Sequence, residues 1–242
     1  MNEKLKVFIK NHLHFLVEPM RLLLHPSYLP NFLEKRKLNA MAPSDRFRYY
    51  YDKGVWKNDE THSGPDSRMI RTEHLRNELP SLLLRFNIST LLDLPCGDFN
   101  WMQHVDLGSA RYTGADVVEK LVESNSRNFS SDKISFSMMD ILKDAIPRYD
   151  LIICRDCLVH FSFKDIFTAL KGIKASGSEF LLTTTFTSPD MHNYDIMTGE
   201  WRPINLELPP FSFPAPLLII EETAHTGRND KSMGLWRISG LP

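Results

Sequence analysis

Residues 91–98 read Leu-Leu-Asp-Leu-Pro-Cys-Gly-Asp, a short apolar run that ends in an aspartate and a turn. A run of this kind, bounded by turn residues, is typical of a buried strand. Similar runs follow along the chain, and helical patterns lie over 119–129 and 163–175. Strands that are apolar throughout and alternate with helices indicate a parallel sheet covered on both faces. The predicted strands are 88–94, 111–117, 134–139, 151–154 and 180–186.

The C-terminal part of the chain has a different pattern. Two further apolar runs, 217–222 and 232–238, leave no room for a helix between them, so they predict an antiparallel pair at the sheet edge, joined by the loop 223–231. Ser162 and Asp165 form a start signal for the helix 163–175, and Gly177 is its stop signal. The sequence therefore predicts an α/β fold with a mostly parallel sheet and an antiparallel C-terminal edge pair.

The first 45 residues predict an N-terminal helical extension, followed by a domain over 46–242. Leu5, Phe8, Ile9, Leu13 and Leu16 recur at helical spacing, and we expect Pro26 and Pro30 to end that helix and Pro43 to close a linker. Charged and histidine side chains interrupt the apolar stretch 7–24, which predicts no transmembrane span. Contact with a membrane surface, docking on the chain's own domain and docking on a second subunit all stay open, as does the oligomeric state.

Composition and charge exclude some classes of function. The chain has 242 residues and a formal net charge of −1, which argues against binding nucleic acid by phosphate neutralisation alone. Residues 1–85 carry 15 basic and 10 acidic side chains, so this half either meets an anionic partner or is an ordinary solvated helical lobe. Three cysteines cannot form a disulfide scaffold, which favours a cytoplasmic protein. Cys154 and Cys157 have no second pair, and we expect no metal site.

Three predicted strands end in an aspartate. Asp116 follows Asp93 by 23 residues, and Asp140 follows Asp116 by 24, about the length of one strand–helix unit. Ligands of a doubly wound sheet bind beyond the carboxyl ends of its strands, so we expect the three carboxylates to face one crevice. The second can accept hydrogen bonds from both ribose hydroxyls, and the third from an adenine amino group. The spacing predicts a nucleoside site.

The turn after the first strand selects the type of nucleoside. A dinucleotide site needs a glycine-rich turn whose N–H groups meet a pyrophosphate at a helix N-terminus. Here Pro95 lacks an N–H, Asp98 adds a negative charge, and Phe99 occupies the third glycine position. Carboxylates suit S-adenosylmethionine, which has a positive sulfonium and no phosphate. The turn therefore favours the sulfonium cofactor.

Several longer stretches resemble the class I S-adenosylmethionine-dependent methyltransferases, and in particular a bacterial group within that superfamily. They are LDLPCGDFNWM (92–102), YTGADVV (112–118), MMDILKD (138–144), DLIICRDCLVHFSF (150–163), LLTTTF (181–186) and TGEWRPINLELPPFSFP (198–214). The resemblance implies a Rossmann-like seven-stranded sheet, S-adenosylmethionine as cofactor, and methyl transfer. The residues expected at the cofactor are Asp93, Pro95, Gly97, Asp98, Trp101, Asp116, Val117, Asp140, Ile141 and Arg155.

His160 follows the fourth strand, where the acceptor pocket of the resembling family begins. Its ordinary pKa suits a general base for a hydroxyl acceptor, and Asp156 could orient it or assist it. A histidine that caps or packs the following helix is the alternative. Arg155 would fix an anionic group of a ligand or balance the acids of the site.

Two further segments are candidates for acceptor binding. The loop 187–216 is long and rich in proline, so we expect it to close over the crevice with Trp201 as a stacking face and Arg202 and Asn205 as polar anchors. A rigid flap that merely covers the sheet edge is the alternative. Upstream, Trp56 and the turn that ends at Arg68 are expected over the amino-acid end of the cofactor, or as an ordinary entry turn of a helix around 71–84.

The sequence therefore predicts methyl transfer from S-adenosylmethionine to a small-molecule or glycan acceptor, at oxygen. The alternative is a catalytically degenerate, cofactor-binding partner subunit. A nucleic-acid methyltransferase fits less well, because residues 155–158 do not match the Asn/Asp-Pro-Pro-Tyr/Phe motif expected after the fourth strand.

Overall fold

The computed structural model describes residues 29–222 and 230–242. The chain divides into two compact units, Met1–Ala42 and Pro43–Pro242. The first unit contributes helix α1 (Leu29–Ala40) to the described part. Pro30 lies in the first turn of α1, where a missing N–H removes no helical hydrogen bond. The amphipathic helix predicted over residues 5–16 and most of the predicted loop 223–231 lie outside the described residues.

The described part of the second unit contains four further α-helices and seven strands. The helices are α2 (Pro43–Asp52), α3 (Met69–Arg85), α4 (Glu119–Phe129) and α5 (Phe163–Ala175). The strands are β1 (Thr90–Asp93), β2 (Arg111–Asp116), β3 (Ile134–Met138), β4 (Leu151–Cys154), β5 (Phe180–Phe186), β6 (Leu218–Glu221) and β7 (Lys231–Arg237). The predicted bounds of α4, α5, β4 and β5 are correct, and the other predicted strands differ by one or two residues at their ends.

The seven strands form one sheet in the order β3-β2-β1-β4-β5-β7-β6. Strands β1 to β5 pair in parallel, and β7 runs antiparallel to both β5 and β6. The predicted mostly parallel sheet with an antiparallel edge pair is therefore confirmed. Strand order reverses between β1 and β4, and the crevice outside this reversal is where open α/β sheets bind their ligands.

Hydrophobic clusters cover both faces of the sheet. Leu92 belongs to the cluster that contains Ile166 and Ile173 of α5, whereas its neighbour Leu91 belongs to the cluster that contains Leu75 of α3. Adjacent strand residues point to opposite faces, so a strand buried on both sides has to be apolar at every position. This is why the strands appear in the sequence as continuous apolar runs.

No α-helix follows β1 directly. The turn leads instead into a single 3-10 turn, Met102–His104, and the next α-helix of the described chain is α4, after β2. Phe99, at the third glycine position of a dinucleotide motif, has a positive φ of 59° and is buried. Its ring packs 5.1 Å from the rings of Tyr112 and Phe136. The Phe99 side chain is therefore part of the hydrophobic core.

None of the helices described has both the length and the apolar character needed to cross a membrane.

Candidate active site

A cavity of about 490 Å³ opens at the carboxyl edge of the sheet. It is lined by the ends of β1 and β2, by the segments after β3 and β4, by helix α2 and by residues 62–67. Asp93, Asp116 and Asp140 all line it, so the structure brings together the three strand-end carboxylates. Of the other residues expected at the site, the cavity is lined by Trp56, Pro95, Gly97, Trp101, Val117, Ile141, Arg155, Asp156, His160 and Trp201.

The turn after β1 has no backbone N–H group left for a phosphate. Pro95 has none, the N–H of Cys96 donates to the Ala115 carbonyl, and that of Gly97 donates to the Asp116 carboxylate at 3.1 Å. The N–H of Asp98 donates to Ser63 Oγ at 2.8 Å, and that of Phe99 to the Cys96 carbonyl at 3.4 Å. Because every donor is already used and no helix begins here, this turn cannot cradle a pyrophosphate.

Asp116 is held in place by the backbone. Its two oxygens accept the N–H groups of Gly97 and Val118, the latter at 2.9 Å. Burial raises the pKa of Asp116 to about 6, although these N–H groups oppose the rise. Each carboxylate oxygen can accept two hydrogen bonds, so both oxygens keep a lone pair for a ligand.

Asp93 lies deeper, at the end of β1. It is 2 % exposed and accepts a hydrogen bond from the Tyr112 hydroxyl at 2.9 Å. Burial raises the pKa of Asp93 to about 7, against the lowering effect of Tyr112 and Arg155. A cation in the cavity would favour the ionised form of both acids, so this part of the site suits a positively charged ligand.

Neighbouring residues of the turn after β3 hold the Asp140 carboxylate. Its Oδ1 accepts the N–H of Leu142 at 3.0 Å, and its Oδ2 lies 3.2 Å from Lys143 Nζ. Val117, Ile141 and Leu142 line the cavity nearby and supply an apolar surface beside this carboxylate.

Asp98 and Arg68 do not line the cavity, contrary to their predicted ligand contacts. The Asp98 carboxylate accepts hydrogen bonds from Thr61 Oγ1, from the N–H of His62 and from Ser63 Oγ, at 2.7 to 2.9 Å. It therefore fastens the segment 61–63 over the β1 turn. Arg68 donates from Nε to the Pro65 carbonyl at 3.0 Å, which closes the turn before α3.

An ion cluster that the sequence did not predict lies beside the cavity. Lys231 of β7 is buried, and its Nζ lies 2.9 Å from Asp66 Oδ2, 2.8 Å from Asp156 Oδ2 and 3.7 Å from Glu222 Oε2. Arg155 contacts Glu222 at 2.8 Å and Asp156 at 3.1 Å, and it donates to the Asp66 carbonyl. We call these five residues, Asp66, Arg155, Asp156, Glu222 and Lys231, the ion cluster. It joins three distant parts of the chain at the cavity wall.

The ion cluster fixes the charge states of its members. Burial alone would raise the pKa of Asp156, but Lys231 and Arg155 hold it well below its ordinary value. Burial would likewise lower the pKa of Arg155, but Glu222 and Asp156 hold it above its ordinary value. The Arg155 guanidinium also lies 5.5 Å from the centre of the Trp101 ring. Arg155 therefore balances the acids of the site, one of the two roles predicted for it.

His160 is oriented by a backbone carbonyl rather than by Asp156. Its Nδ1 lies 2.9 Å from the Glu200 carbonyl oxygen. Because a carbonyl oxygen only accepts, Nδ1 carries the proton, and in the neutral ring the lone pair is on Nε2. Burial lowers the pKa of His160 below 6.5, although Glu200 and Asp156 oppose this. The ring is therefore neutral at pH 7, as a general base has to be.

The loop 187–216 is mostly a packed flap. Arg202 is fully buried and donates to the carbonyls of Leu158 and Phe161, at 3.0 and 2.7 Å. Asn205 accepts the N–H of Glu207 and is also buried. Neither lines the cavity, so the structure does not bring these two predicted anchors to it. Trp201 does line it and is 50 % exposed.

Helix α2 forms part of the cavity wall. Phe47 and Tyr51, one helical turn apart, both line the cavity. Arg48 donates to the Val117 carbonyl at 3.0 Å, and Lys143 donates to Ser44 Oγ at 3.1 Å. Arg46 donates to the Thr198 carbonyl. These bonds tie α2 to the ends of β2 and β3 and to the loop that carries Trp201.

No protein-family model matches the sequence, and no curated protein matches it. Solved structures do match the fold. The 1,6-didemethyltoxoflavin-N1-methyltransferase of Burkholderia thailandensis, solved with 1,6-didemethyltoxoflavin and S-adenosylhomocysteine, is 17 % identical over 81 % of this chain and 90 % of its own, with a TM-score of 0.56. The methyltransferase domain of bacterial CtHen1-C is 16 % identical over 69 % of this chain and 98 % of its own, with a TM-score of 0.50.

The fold is that of the class I S-adenosylmethionine-dependent methyltransferases. At these identities the similarity concerns the fold, and the function has to be argued from the cavity itself.

Within the described ranges 29–222 and 230–242, no group of three or more His, Cys, Asp or Glu side chains is placed to hold a metal ion.

Proposed function

We propose that this protein transfers a methyl group from S-adenosylmethionine to a hydroxyl group of a small-molecule acceptor. The observation that carries the proposal is the common cavity of Asp93, Asp116 and Asp140 beside a turn with no free N–H group. A nucleoside with a positive charge and no phosphate is the ligand class that this combination of donors and acceptors fits.

The residues present fit the cofactor on chemical grounds. Asp116 keeps lone pairs for a ribose diol, and Asp140, with Val117 and Ile141 near it, offers an acceptor and an apolar surface for adenine. Asp93 contributes a carboxylate beside the place for a cation. When bound, S-adenosylmethionine supplies an electrophilic methyl group on a sulfonium, which leaves as a neutral thioether.

The chain's own part in the reaction is positioning and proton transfer. Methyl transfer is an in-line displacement, and holding both reactants in contact supplies much of the rate acceleration. His160 Nε2 accepts the proton that the acceptor hydroxyl loses, and the Glu200 carbonyl keeps the ring in the required tautomer. Helix α2 and Trp201 cover the site, which limits the access of water.

A small molecule is the acceptor size that this cavity favours. Pockets of about 300–1,000 Å³ hold one drug-sized ligand, so 490 Å³ leaves room for the cofactor and little more than a compact acceptor group. The Burkholderia thailandensis enzyme likewise carries a small molecule together with S-adenosylhomocysteine.

Thermal unfolding with S-adenosylhomocysteine at pH 8 tests the cofactor assignment. At about 100 times Kd, a ligand stabilises a protein by roughly 2.7 kcal/mol, which raises the Tm of a chain of this size by about 5–10 °C. We expect this rise for the wild type, and a rise at least halved for Asp116→Asn, which retains one acceptor oxygen. Asp132→Asn, on an exposed side chain outside the cavity, is the matched control and keeps the full rise. Absence of any rise in the wild type would falsify the proposal.

A further inference from the structure

We propose that the acceptor carries its hydroxyl on a ring with a flat apolar face and bears no anionic group. This inference rests on the proposed function and specifies the acceptor class of the same site. Two sources share this chemistry, a neutral phenol and a neutral sugar, and the experiment below distinguishes them.

A series of aromatic contacts starts at His160. The ring centres of Trp56 and His160 are 5.6 Å apart, and Phe47 lies 6.0 Å from Trp56 and 5.7 Å from Phe161. Trp201 follows directly after Glu200, the residue whose carbonyl orients His160. We call the set Phe47, Tyr51, Trp56, Phe161 and Trp201 the aromatic wall; all five residues line the cavity.

The aromatic wall favours a flat partner. Aromatic rings attract other rings in offset or edge-to-face arrangements, and they cover apolar faces at little entropic cost. Trp201 is half exposed, so its indole surface is available to a ligand at the mouth of the cavity. A ring that stacks against this wall presents its hydroxyl at the edge, where Nε2 of His160 can accept the proton.

The charges of the cavity exclude an anionic acceptor. Asp66, Asp93, Asp116, Asp140 and Asp156 line it, and among the described lining residues Arg155 is the sole lysine or arginine. The contacts of Arg155 to Glu222, Asp156 and the Asp66 carbonyl already engage its guanidinium. A phosphate or carboxylate of the acceptor would lose its hydration without gaining a charged partner, and it would add negative charge beside several carboxylates. The carboxylate of the cofactor differs in this respect, because the cofactor's own ammonium group lies next to it.

Calorimetric titration of the whole chain, saturated with S-adenosylhomocysteine at pH 8, tests this inference with two matched pairs. One pair is 4-hydroxybenzamide and 4-hydroxybenzoate, and the other is methyl glucoside and methyl glucuronide. Within the pair that matches the natural ring, we expect the neutral member to bind at least tenfold more tightly than its anion. Which pair binds tells a phenol from a sugar. Equal or tighter binding of an anion, or no binding of any of the four at millimolar concentration, overturns the inference.

Variants of Trp201 test the stacking surface with the neutral compound that binds best. Trp201→Ala is expected to weaken its binding about tenfold, whereas Trp201→Phe keeps a flat face and loses no more than about threefold. Phe167→Ala, which removes a similarly exposed ring outside the cavity, should leave binding unchanged. Equal affinities of the Ala and Phe variants would contradict a stacking role.

The titrations with S-adenosylhomocysteine alone separate the two proposals. If that ligand does not bind, the proposed function falls. If it binds and the neutral compounds show no preference over their anions, only the inference about the acceptor falls.

Discussion

The two ends of the cavity are built in different ways. The acidic end, Asp93, Asp116 and Asp140, lies at the carboxyl ends of three neighbouring parallel strands or just beyond them. The aromatic wall comes from α2 and the segment after it, from the turn after β4 and from the loop after β5. Side-chain contacts to backbone carbonyls, such as Arg46 to Thr198 and His160 to Glu200, hold these parts together. A site on a sheet edge is fixed by strand pairing, whereas a site on loops can change without altering the fold. The difference suits the proposed function, in which every such enzyme uses the same methyl donor but each has its own acceptor.

The largest expected effect comes from His160, and it separates proton transfer beside the aromatic wall from cofactor binding at the acidic end. His160→Gln removes the proposed base, so we expect kcat to fall by about 10²–10⁴-fold. The affinity for S-adenosylhomocysteine should not change, because the residues of the acidic end are untouched. Methylation rates and calorimetric binding of the same preparation measure both quantities. A variant with wild-type kcat would show that His160 has a packing role.

The second prediction concerns the ion cluster at the cavity wall. Lys231→Met removes a buried ammonium and leaves Asp66, Asp156 and the fully buried Glu222 with one guanidinium, and breaking a buried ion pair in this way costs about 3–5 kcal/mol. The Tm should therefore fall by about 10 °C. Lys120→Met is the matched control, since its pair with Asp52 is exposed and contributes little. Equal losses in the two variants would show that burial of the cluster has no energetic consequence.

The third prediction uses the raised pKa of Asp93. The folded value of about 7 lies above the ordinary 3.8, so the folded protein binds more protons than the unfolded chain between these values, and its stability falls as the pH rises from 4 to 7. Asp93→Asn cannot ionise and keeps an acceptor for Tyr112. It should raise the free energy of unfolding at pH 8 by about 1–4 kcal/mol, and by less than half as much at pH 5. An equal gain in Tm at the two pH values would contradict a raised pKa.

The smallest expected effect tests whether the acidic end binds the positively charged sulfonium. Asp93 and Asp116, with pKa values of about 7 and 6, take up protons as the pH falls. The affinity for S-adenosylmethionine should therefore drop about tenfold from pH 8 to pH 5.5. S-adenosylhomocysteine has no sulfonium and should lose much less. Parallel losses for the two ligands would indicate that the carboxylates do not face the sulfur.

Much of the acidic end could be predicted from sequence because each of its aspartates follows directly after a recognisable strand. A strand buried on both faces is apolar throughout, so its end is visible in the sequence, and parallel pairing brings such ends to one edge. Asp98 is also an aspartate near the end of a predicted strand, but its carboxylate accepts hydrogen bonds from residues 61–63 instead of facing the cavity. No local sequence pattern predicts these partners.

The ion cluster and the aromatic wall depend on contacts between distant parts of the chain. Lys231 meets Asp66 across 165 positions and Asp156 across 75, and a lone lysine at the start of β7 gives no signal of either contact. Arg202 and Asn205 were expected as ligand anchors because polar residues in a long loop often bind ligands. In the structure they satisfy backbone groups of the packed flap instead. Phe47 and Tyr51 lie in one helix of the sequence, but the position of that helix at the cavity depends on the bonds that Arg46 and Arg48 donate and on the bond that Ser44 accepts from Lys143.

The position of Lys231 in the chain has a consequence for the newly made protein. The ribosome releases β1 to β5 long before β7, and until then Asp66 and Asp156 have no ammonium partner. The wall of the cavity is therefore completed only when β7, the last of the seven described strands, has been synthesised. Chains interrupted before that point lack a finished ligand site, however well their earlier strands have paired.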